Sequence, residues 1–332
     1  MDDYDSSDSE YERNPPQPQS SLEMLQSTKQ MALTALTSQF ANQSITAEQY
    51  AAACAALDSI NTPRAIREEF LDDCYYGHLN TVVTSLTKHP GLIQAYSVSN
   101  YSNALHCAVA GGQVDILDML LTHGMTDSVL LNHQDEEGWT PVHVSVFDDQ
   151  LPCLSRLIEA KADLNLSSQH EKLSPLLIAI RLLRVDHVKL LLMTGADPNR
   201  VDYQGLTPAH HVMFHCRNTS SESDPEILAS ILAMLQLLLE HEADFNRADE
   251  ECGWTPCMTA AWWGQAQILT WLLEHAHVNV NLPDFHGKTP LNLACEQGHV
   301  RCVSVLLQHY ASLSQVDEQG RSVIFCNYNH CP

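Results

Sequence analysis

The stretch DFHGKTPLNLACEQGHVRCVSVLLQHYA, residues 284–311, decides how this chain folds. Asp284 stands three residues before Gly287, a reverse-turn signature. Thr289 offers a hydroxyl to the free N–H groups of a helix start. Pro290 then takes the first helical position, where a missing N–H does no harm. Gly298 ends this short helix and permits a tight turn. A second helix follows, with Val303, Leu306 and Leu307 at three- and four-residue spacing. One such helix pair has apolar faces on both sides and cannot fold alone.

The same phrase recurs: "YSNALH" at 101, "GWTPVH" at 138, "KLSPLL" at 172, "GLTPAH" at 205, "GWTPCM" at 253, "GKTPLN" at 287 and "GRSVIF" at 320. From one cap position to the next the steps are 37, 34, 33, 48, 34 and 33 residues. A fixed period of this size marks a stack of units, and the step of 48 holds an insertion.

The period, the phrase D-x-x-G-x-T-P and "GADPN" at 195–199 resemble the ankyrin repeat family over roughly residues 62–331. The resemblance implies an all-α solenoid of about seven repeats with a concave protein-binding face. The expected organisation is an acidic disordered tail at 1–20, a helical hairpin at 21–61 and repeats over 62–332. The repeats run 62–96, 97–131, 132–167, 168–200, 201–248 with a loop insertion at 216–226, 249–281 and 282–314, and an incomplete repeat fills 315–332. The first repeat is divergent, with a first helix of about fourteen residues. The family's T-P-L-H histidine, which implies a bond tying neighbouring repeats, is present as His106, His143 and His210 but is replaced by Leu177, Met258 and Asn292. Asn165, Asn199, Asn246 and Asn281 are read as turn residues tolerating left-handed backbone. The family alternative for them is asparaginyl hydroxylation.

The segments outside the repeats have their own patterns. Residues 1–12 hold six acids and no Lys or Arg, which suits a solvated tail and not a secretory signal. Ser7 and Ser9 each have a Glu three residues on, fitting acid-directed phosphorylation. Leu22, Leu25, Leu33, Leu36 and Phe40, then Tyr50, Cys54 and Leu57, form the apolar stripes of the hairpin, expected to cap the open end of the stack. The last repeat is expected to leave Val323, Ile324 and Phe325 poorly covered.

Composition bounds the function. The 332-residue chain is 44% hydrophobic and 17% charged, as expected of a globular protein. Its 11 cysteines suit reduced thiols and a cytoplasmic location. A net charge of −24 repels phosphate backbones and anionic membranes, so neither nucleic acid nor membrane is an expected partner. The sequence holds no Gly-rich phosphate loop and no paired nucleophile and base, and the expectation is no catalysis and no cofactor. Cys257 falls on a core position, and Cys326, His330 and Cys331 fall short of the four ligands a structural zinc needs, so no metal is expected.

The expected function is therefore a monomeric scaffold or adaptor for a protein with a basic or apolar surface. Adjacent residues on a helix point about 100° apart, so one narrow apolar stripe would not bury both Trp262 and Trp263. With Phe147 and Asp148, Arg181, Phe214 and His215 at equivalent helix ends, and Trp139, Tyr203, Trp254 and Phe285 in the turns, they are expected to form an aromatic stripe edged by acids, and this is the candidate partner site. The alternatives are the targeting portion of a truncated or longer enzyme, a bacterial effector, or an inhibitor similar to the IκB group, to which "LACEQG" at 293–298 is similar.

Overall fold

The computed structural model describes residues 63–124, 127–215 and 225–322. The acidic tail, the hairpin at 21–61, residues 216–224 of the insertion, Val323–Phe325 and the Cys326, His330, Cys331 set lie outside the described residues.

The described chain is a row of helix pairs. They are α1 (Arg64–Tyr76) with α2 (Leu79–Lys88), and α3 (Ala104–Ala110) with α4 (Val114–Thr122). After the short α5 (Ser128–Leu131) come α6 (Pro141–Phe147) with α7 (Leu151–Glu159), and α8 (Pro175–Arg181) with α9 (Val185–Met193). Then follow α10 (Pro208–Phe214) with α11 (Pro225–Glu240), α12 (Pro256–Trp262) with α13 (Ala266–His275), and α14 (Pro290–Glu296) with α15 (Val300–Gln308). Among the described residues, extended pairing is limited to two isolated bridges, Tyr96 with Asn103 and Val316 with Ser322.

The first helices are short because their ends are dictated. Thr207, Thr255 and Thr289 each accept an N–H from the third helical residue, and Pro occupies the first position of α6, α8, α10, α12 and α14. The far end needs a left-handed residue, supplied by Gly112, Gly264 and Gly298. Asp149 and Leu183 take that conformation in two of the units without the glycine, with φ of 62° and 55°. First helices pack on first helices (α1·α3·α6·α8·α10·α12·α14), and second helices on second helices from α2 to α11 and again from α13 to α15. The product is one continuous core through Phe70, Leu105, Val142, Leu176, Val212, Cys257 and Leu291.

Side-chain ladders join the units where the core does not reach. His106, His143 and His210 are buried, and their Nε2 atoms donate to the carbonyls of Trp139, Leu173 and Trp254 at 2.9, 3.0 and 2.9 Å. Their Nδ1 atoms accept the N–H of the cap residue in the same unit. A second ladder corrects the expectation for the asparagines. Asn165, Asn199, Asn246 and Asn281 are absent from the left-handed set, which instead includes Lys161, Glu242, His277 and Tyr310. The Oδ1 atoms of Asn165, Asn199, Asn246 and Asn281 accept the backbone N–H of Asp197, Asp244, Asn279 and Ser312 in the following unit, each at 2.7 Å. Asparagine is needed there for its reach across the joint.

Candidate partner-binding surface

One face of the stack is built from the turns between units and the ends of the first helices. The turns are held by aspartates. Oδ1 of Asp135 accepts the N–H of Glu137 and Trp139, that of Asp202 the N–H of Gln204 and Leu206, and that of Asp284 the N–H of His286 and Lys288. Successive tips are joined by backbone bonds: Gln169 N–H to Glu137, Tyr203 to Glu171, Glu250 to Gln204, Phe285 to Cys252 and Glu318 to His286. The tips therefore form a ribbon whose register is fixed and whose side chains are displayed.

On that ribbon Tyr203 and Phe285 are exposed, at 55% and 59% of their full surface. Phe147 and Phe214 are exposed at the helix ends, as are Asp148 and Arg181. Trp139, Trp254, Trp262, Trp263 and His215 are half-buried. The rings pair inside units, Trp139 with Phe147 at 5.0 Å, Trp254 with Trp262 at 5.2 Å and His211 with Phe214 at 5.8 Å between centroids. Arg181, ion-paired with Glu171, stands at the helix end of the unit between the Trp139 and Tyr203 turns. The geometry is thus a series of aromatic pairs separated by a charged pair.

Two of these residues are also tied to the next unit, one by its ring and one by its backbone. Trp254 Nε1 donates to Asp284 of the next turn at 3.2 Å. The Trp262 carbonyl accepts from His299 Nε2 of the next unit at 3.0 Å. Similar cross-unit bonds end other first helices, from Arg184 to the Phe147 carbonyl and from His215 to the Ile180 carbonyl.

The titratable groups near the face are committed to bonds within the fold. His143 and His210 are held neutral by burial, which pushes each pKa down to about 4 against the pull of the carbonyls they bond. His211 and His215 stand four residues apart, a spacing that suits a metal. However, His211 Nε2 is bonded to Asp202 and His215 Nε2 to the Ile180 carbonyl. Among the described residues no group of three or more His, Cys, Asp or Glu could hold a metal ion. The Cys257 thiol is fully buried and pushed up to about 12 by burial and by neighbouring Cys302, so it is core.

Sequence reasoning missed Tyr75 and Tyr76. They precede Gly77 just as Trp262 and Trp263 precede Gly264, and both are exposed. Aligning "CYYGH" at 74–78 with "AWWGQ" at 261–265 would have found them. Gly111 lets α3 approach there, because a Cβ at 111 would lie 1.9 Å from the Tyr75 carbonyl oxygen.

The family model for ankyrin repeats in three copies matches residues 73–168, 125–202 and 227–319. The ankyrin repeat protein nuc-2 of Neurospora crassa is 32% identical over 202 residues, covering 61% of this chain and 17% of that protein. Human inversin is 25% identical over 233 residues, 68% of this chain and 20% of inversin. The putative ankyrin repeat protein YahD of Escherichia coli is 29% identical over 220 residues, 64% of this chain and 98% of that protein. The chain thus aligns with only about a fifth of the length of nuc-2 and inversin. In three dimensions it matches the crystal structure of the ankyrin repeat domain of Bcl-3, with a TM-score of 0.59 and 22% identity, over 67% of this chain and 92% of that one. With capped short helices, aspartate-anchored turns and a histidine ladder matching the family model over most of its length, the chain belongs to the ankyrin repeat family.

Proposed function

We propose that this protein is a non-catalytic scaffold that binds a protein partner on its turn and first-helix face. The observation that carries the proposal is the series of exposed or half-buried aromatic side chains on one rigid face: Trp139, Phe147, Tyr203, Phe214, Trp254, Trp262, Trp263 and Phe285. Aromatic residues dominate binding hot spots, and contiguous apolar surface marks interaction sites. The exposed Glu136, Glu137, Asp148 and Glu251 edge the same face, which favours a partner with basic residues around an apolar centre.

The test is a set of single alanine variants titrated against a partner isolated with the full chain. Tyr203→Ala, Phe285→Ala and Trp263→Ala are expected to weaken binding by about 2 kcal/mol each where they form hot spots. Lys189→Ala, on a second helix, is expected to leave affinity unchanged. Full affinity in all the aromatic variants would place the partner elsewhere.

A further inference from the structure

We infer that the turn at 135–139, together with α6, holds an extended partner segment carrying a large apolar side chain and, about three to six residues away, an arginine or lysine. The inference rests on the partner-surface reading and names the partner's chemistry. Its core is a cleft of about 410 Å³ with Trp139, Phe147, Leu173, Ile178 and Leu182 in its walls. The Trp139 and Phe147 rings meet at 5.0 Å and leave Phe147 and Leu182 exposed at the mouth. Glu137, Ser168, His170, Glu171 and Arg181 complete the lining, and the Glu171 carboxylate neutralises Arg181 by pairing with it. The remaining formal charge at this rim is that of Glu137.

The charge that selects the second residue lies across the same turn. There a cleft of about 410 Å³ is lined by Glu68, Asp72 and Asp135, with the hydroxyls of Ser97, Ser99 and Ser102, and no Lys or Arg is among its lining residues. The Cys107 thiol in its wall is pushed up to about 12, chiefly by burial and further by Asp72 and Glu68. Asp135 and Val144 face this cleft, whereas Glu137, Trp139 and Phe147 face the apolar one, so one turn and one helix separate the two. The clefts lie between one and two helix-packing distances apart, roughly 10–20 Å, which about three to six extended residues span.

Random peptides of about twelve residues displayed on phage would be selected on the full chain, and the enriched ones measured by fluorescence polarisation. The expected selection is a basic residue and a large apolar residue at that spacing. Asp72→Lys and Glu137→Lys should each weaken such a peptide about tenfold. Leu182→Glu should weaken it at least as much, while Lys189→Ala, on the second helix α9, leaves it unchanged. These side chains are exposed, and unaltered thermal midpoints would show that the fold is intact. No enrichment, or enrichment without the basic residue, overturns the inference. Peptides sensitive to Trp263→Ala but not to Leu182→Glu overturn it while leaving the partner face standing. Peptides indifferent to every variant on this face overturn both.

Discussion

Single residues on this face divide into those that hold it and those it displays. Trp254 bonds Asp284 and packs on Trp262, so Trp254→Ala is expected to cost about 2 kcal/mol of stability. Tyr203→Ala should cost almost none, because the ring is exposed and the turn is held by Asp202; urea melts of the two variants check this. The buried histidines give the stack a pH dependence. His143 is held down to about 4 in the fold by burial, against about 6.5 when unfolded. Below about pH 6.5 the unfolded chain takes up a proton that the folded ring refuses. Stability present at neutral pH is therefore lost as pH falls toward 4, by about 1.4 kcal/mol per pH unit for each such ring. His143→Leu, mirroring Leu177 in the next unit, should reduce that slope between pH 6.5 and 4.5 by about one proton. The comparison cancels the many carboxylates, and an unchanged slope would mean that His143 is not buried neutral. Thr-Pro starts and the aspartate turns were legible in the sequence because their partners are only two to four residues away. The asparagine ladder was not, because each bond reaches about thirty residues or more along the chain, into the next unit.

At the scale of elements, the helix starts are uniform but the helix ends are not. Gly195 follows α9 in left-handed backbone, and Tyr310 occupies the corresponding place after α15 with φ of 62° and a ring 90% exposed. A side chain in that conformation costs about 1–2 kcal/mol and here returns little packing. Tyr310→Gly is expected to raise stability by about 0.5–1 kcal/mol after the glycine's extra entropy in the unfolded chain is subtracted. A destabilised variant in chemical denaturation would show that the ring is packed. Leu183 is different: it pays the same conformational cost while packing against the core. That trade could not be seen in the sequence, where the missing glycine of "RLLRVDH" at 181–187 reads only as an imperfect copy. The same imperfection hid Tyr75 and Tyr76, since Thr62-Pro63 of the divergent first repeat stands six residues farther ahead of its ring pair than Thr255-Pro256 does.

For the whole molecule, the ribbon of tips and the row of first helices convert a repeated sequence into one continuous face. Repeat period and cap chemistry were sufficient for the fold, because each unit repeats the same local rules. The proposed partner face was legible only as a set of positions, because which rings pair, and which are tied into the scaffold, depends on contacts the sequence does not display. A net charge of −24 adds a long-range field to that face. Binding of a basic partner should therefore weaken as salt is raised from about 0.05 to 0.5 M, chiefly through slower association. The most direct measurement is hydrogen exchange of the full chain with and without its partner. Increased protection is expected at the tips and first-helix ends, residues 135–148, 168–182, 202–215 and 252–263, with little change in α7, α9 and α13. Protection confined to those second helices, with the tips unaltered, would contradict a partner face built from turns and first helices.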